Sequence, residues 1–265
     1  MKKLKLLITT ALLAVTMNTA AQPKIVAHRG YWTKEGSAQN TMTALWEAAQ
    51  LGCYGSEFDV WMTVDGVLVV NHDATIQDIR IEDTTYAALQ EIQLSNGEFV
   101  PTLSQYLLLG KQLTQTKLIL EIKTHRNDER NEQCLQKVLR FVDRMGLDGQ
   151  VEYIAFSKYV CRRLHELRPD AKVAYLTGDL TPREAQEQLG ATGIDYPMDA
   201  YDRNPGWFQQ AKDCQMEVNV WTVDGEENLR RFATNPCVDI ITTNNPDLLK
   251  TMLCPTPAPK KKGHK

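Results

Sequence analysis

The sequence predicts an α/β fold, a (β/α)8 TIM barrel with a short insertion between the second and third barrel strands. Three observations predict it. Short apolar runs alternate with helix-spaced amphipathic stretches from residue 24 to about 252. Eight of the runs are separated by enough chain for a crossover between parallel strands. A ninth is not, and must return as the second arm of a hairpin.

The eight barrel runs are Ile25–His28, Gly55–Trp61, Leu118–Ile122, Val151–Phe156, Lys172–Leu176, Gly193–Tyr196, Glu217–Thr222 and Val238–Thr242. Between them, apolar residues recur near helical spacing in Thr41–Leu51, Asn131–Met145, Lys158–Leu167, Thr181–Leu189, Pro205–Cys214 and Glu226–Thr234. Thr181-Pro182 and Asn204-Pro205 place proline where a first helical residue tolerates it. The ninth run, Val67–Val70, follows Gly55–Trp61 across Asp65-Gly66, a hairpin turn pair. Residues 73–100 are longer than an ordinary connection and read as the insertion, with one short helix around Thr84–Ile92. Pro101-Thr102-Leu103 then opens the helix before the third barrel strand. An open doubly wound sheet would also alternate, but no Gly-x-Gly-x-x-Gly fingerprint supports it.

Residues 1–21 have the layout of a secretory signal peptide: a basic Lys2-Lys3-Leu4-Lys5 start, an apolar run to about Met17, then Thr19-Ala20-Ala21. The chain is therefore expected to be exported, to a periplasm or outside the cell, with no stable membrane span after cleavage. Cleavage removes three lysines and takes the net charge from −3 to −6. That balance excludes a nucleic-acid binder, which needs a positive surface. Residues 22–252 make one domain, and 253–265 a Pro-rich, then basic, disordered tail. The six cysteines are scattered without a Cys-x-x-Cys pair, and most are expected to be buried thiols. Nothing implies a protein partner.

Chemistry in such a barrel sits at the C-terminal strand ends. There the sequence puts His28-Arg29-Gly30, Glu57-Phe58-Asp59, Asn71-His72-Asp73, Glu121-Ile122-Lys123 and Trp221-Thr222. Glu57 and Asp59 share a strand face, as do Glu121 and Lys123. Converging carboxylates raise one another's pKa unless a cation compensates. An oxygen-only set suits Mg2+ or Ca2+ better than zinc. The alternative is an internal ion-pair network with Arg29 and Lys123. Two of the five histidines beside this set, with two cations adjacent, look like an acid/base pair at an anionic substrate. His125 is a rim candidate, and His165 lies on a helix surface.

At these residues the chain resembles the glycerophosphodiester phosphodiesterase family, which is related to the phosphoinositide-specific phospholipases. The matching pieces run in the family's order from His28-Arg29-Gly30 through Asn40-Thr41, Glu57-Phe58-Asp59-Val60, Thr63-Val64-Asp65-Gly66, Val69-Val70-Asn71-His72-Asp73, Pro101-Thr102-Leu103, Glu121-Ile122-Lys123 and Val220-Trp221-Thr222-Val223 to Asn245-Pro246-Asp247. The resemblance implies hydrolysis of small glycerophosphodiesters to glycerol 3-phosphate and an alcohol. It makes Glu57, Asp59 and Glu121 ligands of a divalent cation, and His28 and His72 the general acid and base. Arg29 and Lys123 become phosphate-holding groups, and Trp221 a wall of the substrate pocket. Gln39 stands where many members have a glutamate, so a charge beside the metal is missing. Action on intact lipids or lysolipids, and non-catalytic binding of a phosphorylated ligand, are the competing readings.

Overall fold

The computed structural model describes residues 22–254. The expected signal peptide and residues 255–265 of the expected tail lie outside them. Eight strands close into a parallel barrel: β1 (Lys24–Ala27), β2 (Gly55–Met62), β6 (Lys117–Ile122), β7 (Val151–Ala155), β8 (Val173–Tyr175), β9 (Gly193–Pro197), β10 (Glu217–Trp221) and β11 (Ile240–Thr243). Strand β1 pairs with both β11 and β2, which shuts the cylinder. The short run after Asp65-Gly66 is β3 (Leu68–Val70), and it pairs antiparallel with β2. Gly66 takes φ +80, which the turn requires.

Helices α1 (Met42–Leu51), α3 (Leu103–Gly110), α4 (Asp128–Met145), α5 (Lys158–Leu167), α6 (Pro182–Leu189), α8 (Trp207–Asp213), α9 (Glu226–Ala233) and α10 (Pro246–Leu253) surround it. Local sequence starts several of them. The Thr102/Gln105 and Thr181/Glu184 pairs form reciprocal capping boxes, and the Thr41 side chain caps α1. Alternation along each strand sends Phe58, Leu120, Ile194 and Val218 outward against these helices, fully buried. Inside, Val26, Ile119, Ile154, Leu176 and Ile240 form an apolar layer beneath the polar mouth.

Two helix boundaries differ from the sequence pattern. Helix α4 begins three residues early, because Asn127 caps it and Asp128-Glu129 suit its first turn. Asn204-Pro205 does not start a helix. Asn204 instead closes α7 (Met198–Arg203), and α8 begins at Trp207 behind Gly206.

Residues 73–100 fold into the β4–β5 hairpin (Thr75–Ile76 and Ile79–Arg80), a 3-10 turn at Ile81–Asp83 and the single-turn helix α2 (Tyr86–Leu89). This insertion has its own small core of Ile76, Ile81, Leu89, Ile92 and Val100 against Trp61 and Val69. Buried Glu82 ties it to the loop after β6 through Arg126. Glu98 accepts from the Met42 and Thr43 amides at the start of α1. Among the described residues no helix is long and apolar enough to cross a membrane. All six cysteines are free thiols, four of them buried.

Candidate active site

The backbone sets the site before any side chain does. Arg29 and Asn40, neither of them glycine, sit at φ 56 and 59. That left-handed conformation costs an ordinary residue about 1 kcal/mol or more, and such outliers cluster at functional sites. At Arg29 the bend turns the amide onto Glu57 Oε2 at 2.7 Å. Gly30 follows at φ +75, where a Cβ would meet Ala44 at 2.6 Å, so only glycine fits against α1. Asn40 clamps Asp59 from both sides: its amide donates to Oδ2 at 2.8 Å, and its Oδ1 accepts from the Asp59 amide at 3.2 Å.

Glu57, Asp59 and Glu121 are buried at the mouth, and each places a carboxylate oxygen within 4.8 Å of the others. Burial, then repulsion from Asp59 and Glu121, pushes the Glu57 carboxyl well above its usual range. Burial and then Asp59 push Glu121 up to about 8. Burial acts the same way on Asp59, but Lys123, His72 and Asn40 outweigh it and hold its pKa down. Lys123 Nζ lies 3.1 Å from Asp59 Oδ1 and 2.8 Å from Glu121 Oε1. Beyond that ion pair, Glu121 Oε1 has no hydrogen-bond partner. Three buried carboxylates against one ammonium leave an excess of negative charge, and their oxygens fit a hard divalent cation.

The two imidazoles are fixed through the same ring atom. His28 Nδ1 is 2.9 Å from Asn244 Oδ1. Asn244 is oriented unambiguously, because Oδ1 accepts from the Trp32 indole and Nδ2 donates to Asp224. His28 therefore carries its proton on Nδ1 and presents an unprotonated Nε2. His72 Nδ1 donates to Asp73 Oδ1 at 2.7 Å, which leaves Nε2 to face the pocket. Burial, then Arg29, lowers the His28 pKa to about 4. Burial also lowers that of His72, with Asp59 pulling it back.

Both histidines line one pocket of about 140 Å³, together with Arg29, Glu57 and Glu121. Phe156 and Trp221 wall it edge to face, their ring centres 5.6 Å apart. Trp221 is held by a 2.7 Å bond from its indole N–H to the Asp195 carbonyl. Two expected site residues stand beside the pocket. The Lys123 ammonium is held among the site carboxylates. Gln39 is exposed on the rim, where its Oε1 accepts from the Arg29 guanidinium at 2.6 Å. His125 is no rim residue. It is buried, accepting from the Met62 amide at 3.0 Å and bonding the Lys123 carbonyl at 2.8 Å.

Residue-type reasoning missed Asn244, Asp224 and Asp195. Asn244 stands directly after the last strand, at a C-terminal end like the others, which is the signal that could have found it. Asp195 is 2% exposed, lines the same pocket and is pushed well above the usual carboxylate range by burial and then by Glu121.

Known proteins share this barrel. A family model, the glycerophosphoryl diester phosphodiesterase family, matches residues 28–248. The chain is similar to a glycerophosphodiester phosphodiesterase of Parabacteroides distasonis: 43% identity, TM-score 0.85, covering 88% of this chain and 97% of that one. It is 25% identical over 249 residues to a glycerophosphodiester phosphodiesterase of Caldanaerobacter subterraneus subsp. tengcongensis, covering 85% of this chain and 95% of the relative. An Oleispira antarctica phosphodiesterase, solved in complex with the product sn-glycerol-3-phosphate, shares the fold at TM-score 0.77 and 19% identity, covering 88% of this chain and 97% of that one. A match over almost the whole barrel, joined to the carboxylate trio and paired imidazoles at its mouth, makes this chain a member of the glycerophosphoryl diester phosphodiesterase family and a hydrolase of phosphodiesters.

Proposed function

We propose that this enzyme hydrolyses small glycerophosphodiesters to sn-glycerol 3-phosphate and an alcohol, by acid/base catalysis between His28 and His72 with a divalent cation. The observation that carries the reading is the pair of imidazoles. Both are tied through Nδ1, both free Nε2 into one pocket, and both stand beside three mutually repelling carboxylates. A binder of phosphorylated ligands would need cations but no matched acid and base. Glu57, Asp59 and Glu121 would hold Mg2+ or Ca2+. Bound there, the cation would offset charge on the phosphate and on the transition state.

The roles of the two histidines follow from their partners. Burial opposes a charge on His72, but Asp59 and then its hydrogen-bond partner Asp73 favour the imidazolium that a general acid needs. Asn244 is neutral, and Arg29 beside His28 disfavours a second positive charge. His28 is thus the base that takes the proton of the attacking oxygen. His72 is the acid that protonates the leaving alkoxide. A glycerol 2-hydroxyl attack, giving a cyclic phosphate that water then opens, uses the same two groups with their roles exchanged in the second step. Arg29 takes phosphate oxygens. Lys123 would join it with the carboxylates taken up by a bound cation.

The pocket is smaller than the roughly 300–1,000 Å³ of sites that engulf drug-sized ligands. It takes the reacting end of a substrate and leaves the rest outside. That favours soluble headgroup–glycerol diesters, acted on in the exported compartment that the N-terminal signal implies. The test gives purified protein glycerophosphocholine with Mg2+ or Ca2+ and measures sn-glycerol 3-phosphate with and without EDTA. EDTA-sensitive release is expected. Release only from lysolipids would move the substrate to the lipid reading, and no release with any headgroup or metal would sink the proposal.

A further inference from the structure

We propose that Asp195, on the sixth barrel strand, is a substrate-binding residue that recognises the glycerol hydroxyls within the pocket and thereby selects glycerol over other alcohol portions of a phosphodiester. This rests on the glycerophosphodiester reading above.

The sixth strand points Ile194 and Tyr196 outward into the helix-packed core, and Asp195 inward. One of its oxygens, Oδ1, is buried with no hydrogen-bond partner in the protein. Its register neighbour on β10, Asn219, bonds Thr242 Oγ1 at 3.0 Å and favours the ionised Asp195 carboxyl, yet leaves Oδ1 without a partner. A buried carboxyl oxygen left without a partner is costly, and that cost is retained in folds where a ligand supplies the missing bond. Asp195 has no part in the metal cluster: the trio's oxygens lie within 4.8 Å of one another, and Asp195 contributes none to that set. Its other pocket neighbours, Ile154, Leu176, Phe156 and Trp221, offer apolar surface. Asp195 is therefore the one carboxylate of the pocket outside the trio, with the Thr222 and Thr242 hydroxyls beside it.

A phosphate held at the cation, Arg29 and the histidines leaves the remaining pocket for a compact group. A hydroxyl both donates and accepts, so it satisfies Asp195 in either protonation state, which a phosphate oxygen cannot. The same residue fixes the wall, since its carbonyl holds the Trp221 indole. The variable headgroup then goes to the open groove along Trp32–Gln39 and Asn71.

The test compares binding of sn-glycerol 3-phosphate and propyl phosphate, which has the same carbon chain and no hydroxyls. Affinities are measured by calorimetry on the Mg2+-supplied protein. A site built to bond a hydroxyl rejects the analogue lacking it. The wild type is expected to prefer sn-glycerol 3-phosphate by about tenfold or more, the scale of one good hydrogen bond to a buried group. Asp195→Leu should reduce that ratio to about one, with Asp195→Ala as a second apolar variant if the first does not fold. Asp195→Asn should retain part of it, because an amide still bonds hydroxyls. An unchanged ratio in both apolar variants, equal weakening of both ligands, or no preference in the wild type would overturn the assignment. Glycerophosphocholine turnover by the same wild-type preparation separates this from the proposed function: turnover without an Asp195-dependent ratio defeats only the present inference.

Discussion

The barrel carries charged clusters at both ends, and they are built on opposite principles. At the floor, Glu217 is met by Lys24 at 2.7 Å and Lys172 at 3.2 Å. Glu152 beside it is met by Lys172 at 3.3 Å and the Tyr54 hydroxyl at 2.5 Å. Cation answers anion, and the Glu217 pKa falls although burial alone would raise it. At the mouth, three buried carboxylates share one lysine, and two of them are pushed up. Both clusters are legal solutions to burying charge. Only the mouth is left short of positive charge, has two histidines with a free ring nitrogen, and opens to a pocket. The floor holds the fold together; the mouth is held together by the fold.

The largest expected effect breaks the comparison at the mouth alone. His28→Ala and His72→Ala should each lower turnover of glycerophosphocholine by about 10²–10⁴-fold, the usual worth of a general acid or base. Far-ultraviolet circular dichroism and the urea midpoint should stay near wild type. A substrate with a 4-nitrophenyl leaving group separates the two, because that group departs without protonation. His72→Ala should recover most of its rate there, and His28→Ala should not. Recovery in the other mutant would exchange the roles.

The next effect concerns stability and has opposite sign at the two ends. In EDTA-treated protein Glu121→Gln should leave stability unchanged or raise it, because it removes mouth repulsion. Glu217→Gln should lose about 1 kcal/mol, a figure kept small because this partly wet edge is screened. A loss at both positions would end the distinction between them.

A pH series sharpens it. Glu121 is raised from 4.5 to about 8 in the folded chain, so between those values the folded state holds a proton that the unfolded state has released. Its contribution is full below about 4.5 and is lost as pH climbs toward 8. Glu217 is lowered, so its contribution is present above its unfolded value and lost as pH falls through the folded one. Urea titrations of metal-free wild type and Glu121→Gln should diverge at the alkaline end. Added Mg2+ should restore the wild type there, since bound cation takes the place of the proton.

The two ends also differ in how much of them the sequence discloses. Strand order was legible throughout, because each barrel strand is an apolar run and Asp65-Gly66 marks the hairpin. The site's acidic and imidazole groups were legible too, since Glu57 and Asp59 alternate with Phe58 and cannot face the core. What closes the site was not. Asn244 meets His28 across 216 residues of chain, and Asp195 looks like one inward strand position among several until its missing partner is seen. The short helix Met198–Arg203 was hidden because six residues carry too little periodicity, and the proline after it belongs to the next turn. The floor's ion pairs join β1, the lysine just before β8, and β10, a relation only closure of the barrel creates.

The smallest effect lies at the rim, where Gln39 takes the place of a glutamate common in the family. Its carboxamide accepts from Arg29 Nη1, so the guanidinium is oriented without being neutralised. Gln39→Glu would turn that contact into a charge-assisted pair and hold Arg29 away from phosphate. Because Gln39 is exposed, screening limits the gain, and the cost to substrate should be modest. KM for glycerophosphocholine should rise roughly two- to fivefold with kcat nearly unchanged, as loss of uniform binding requires. If the new carboxylate instead joined the cation site, the Mg2+ concentration for half-maximal rate would fall while KM stayed level. That outcome would place Gln39 with the mouth carboxylates, and the charge shortage there would be one group deeper than the three residues account for.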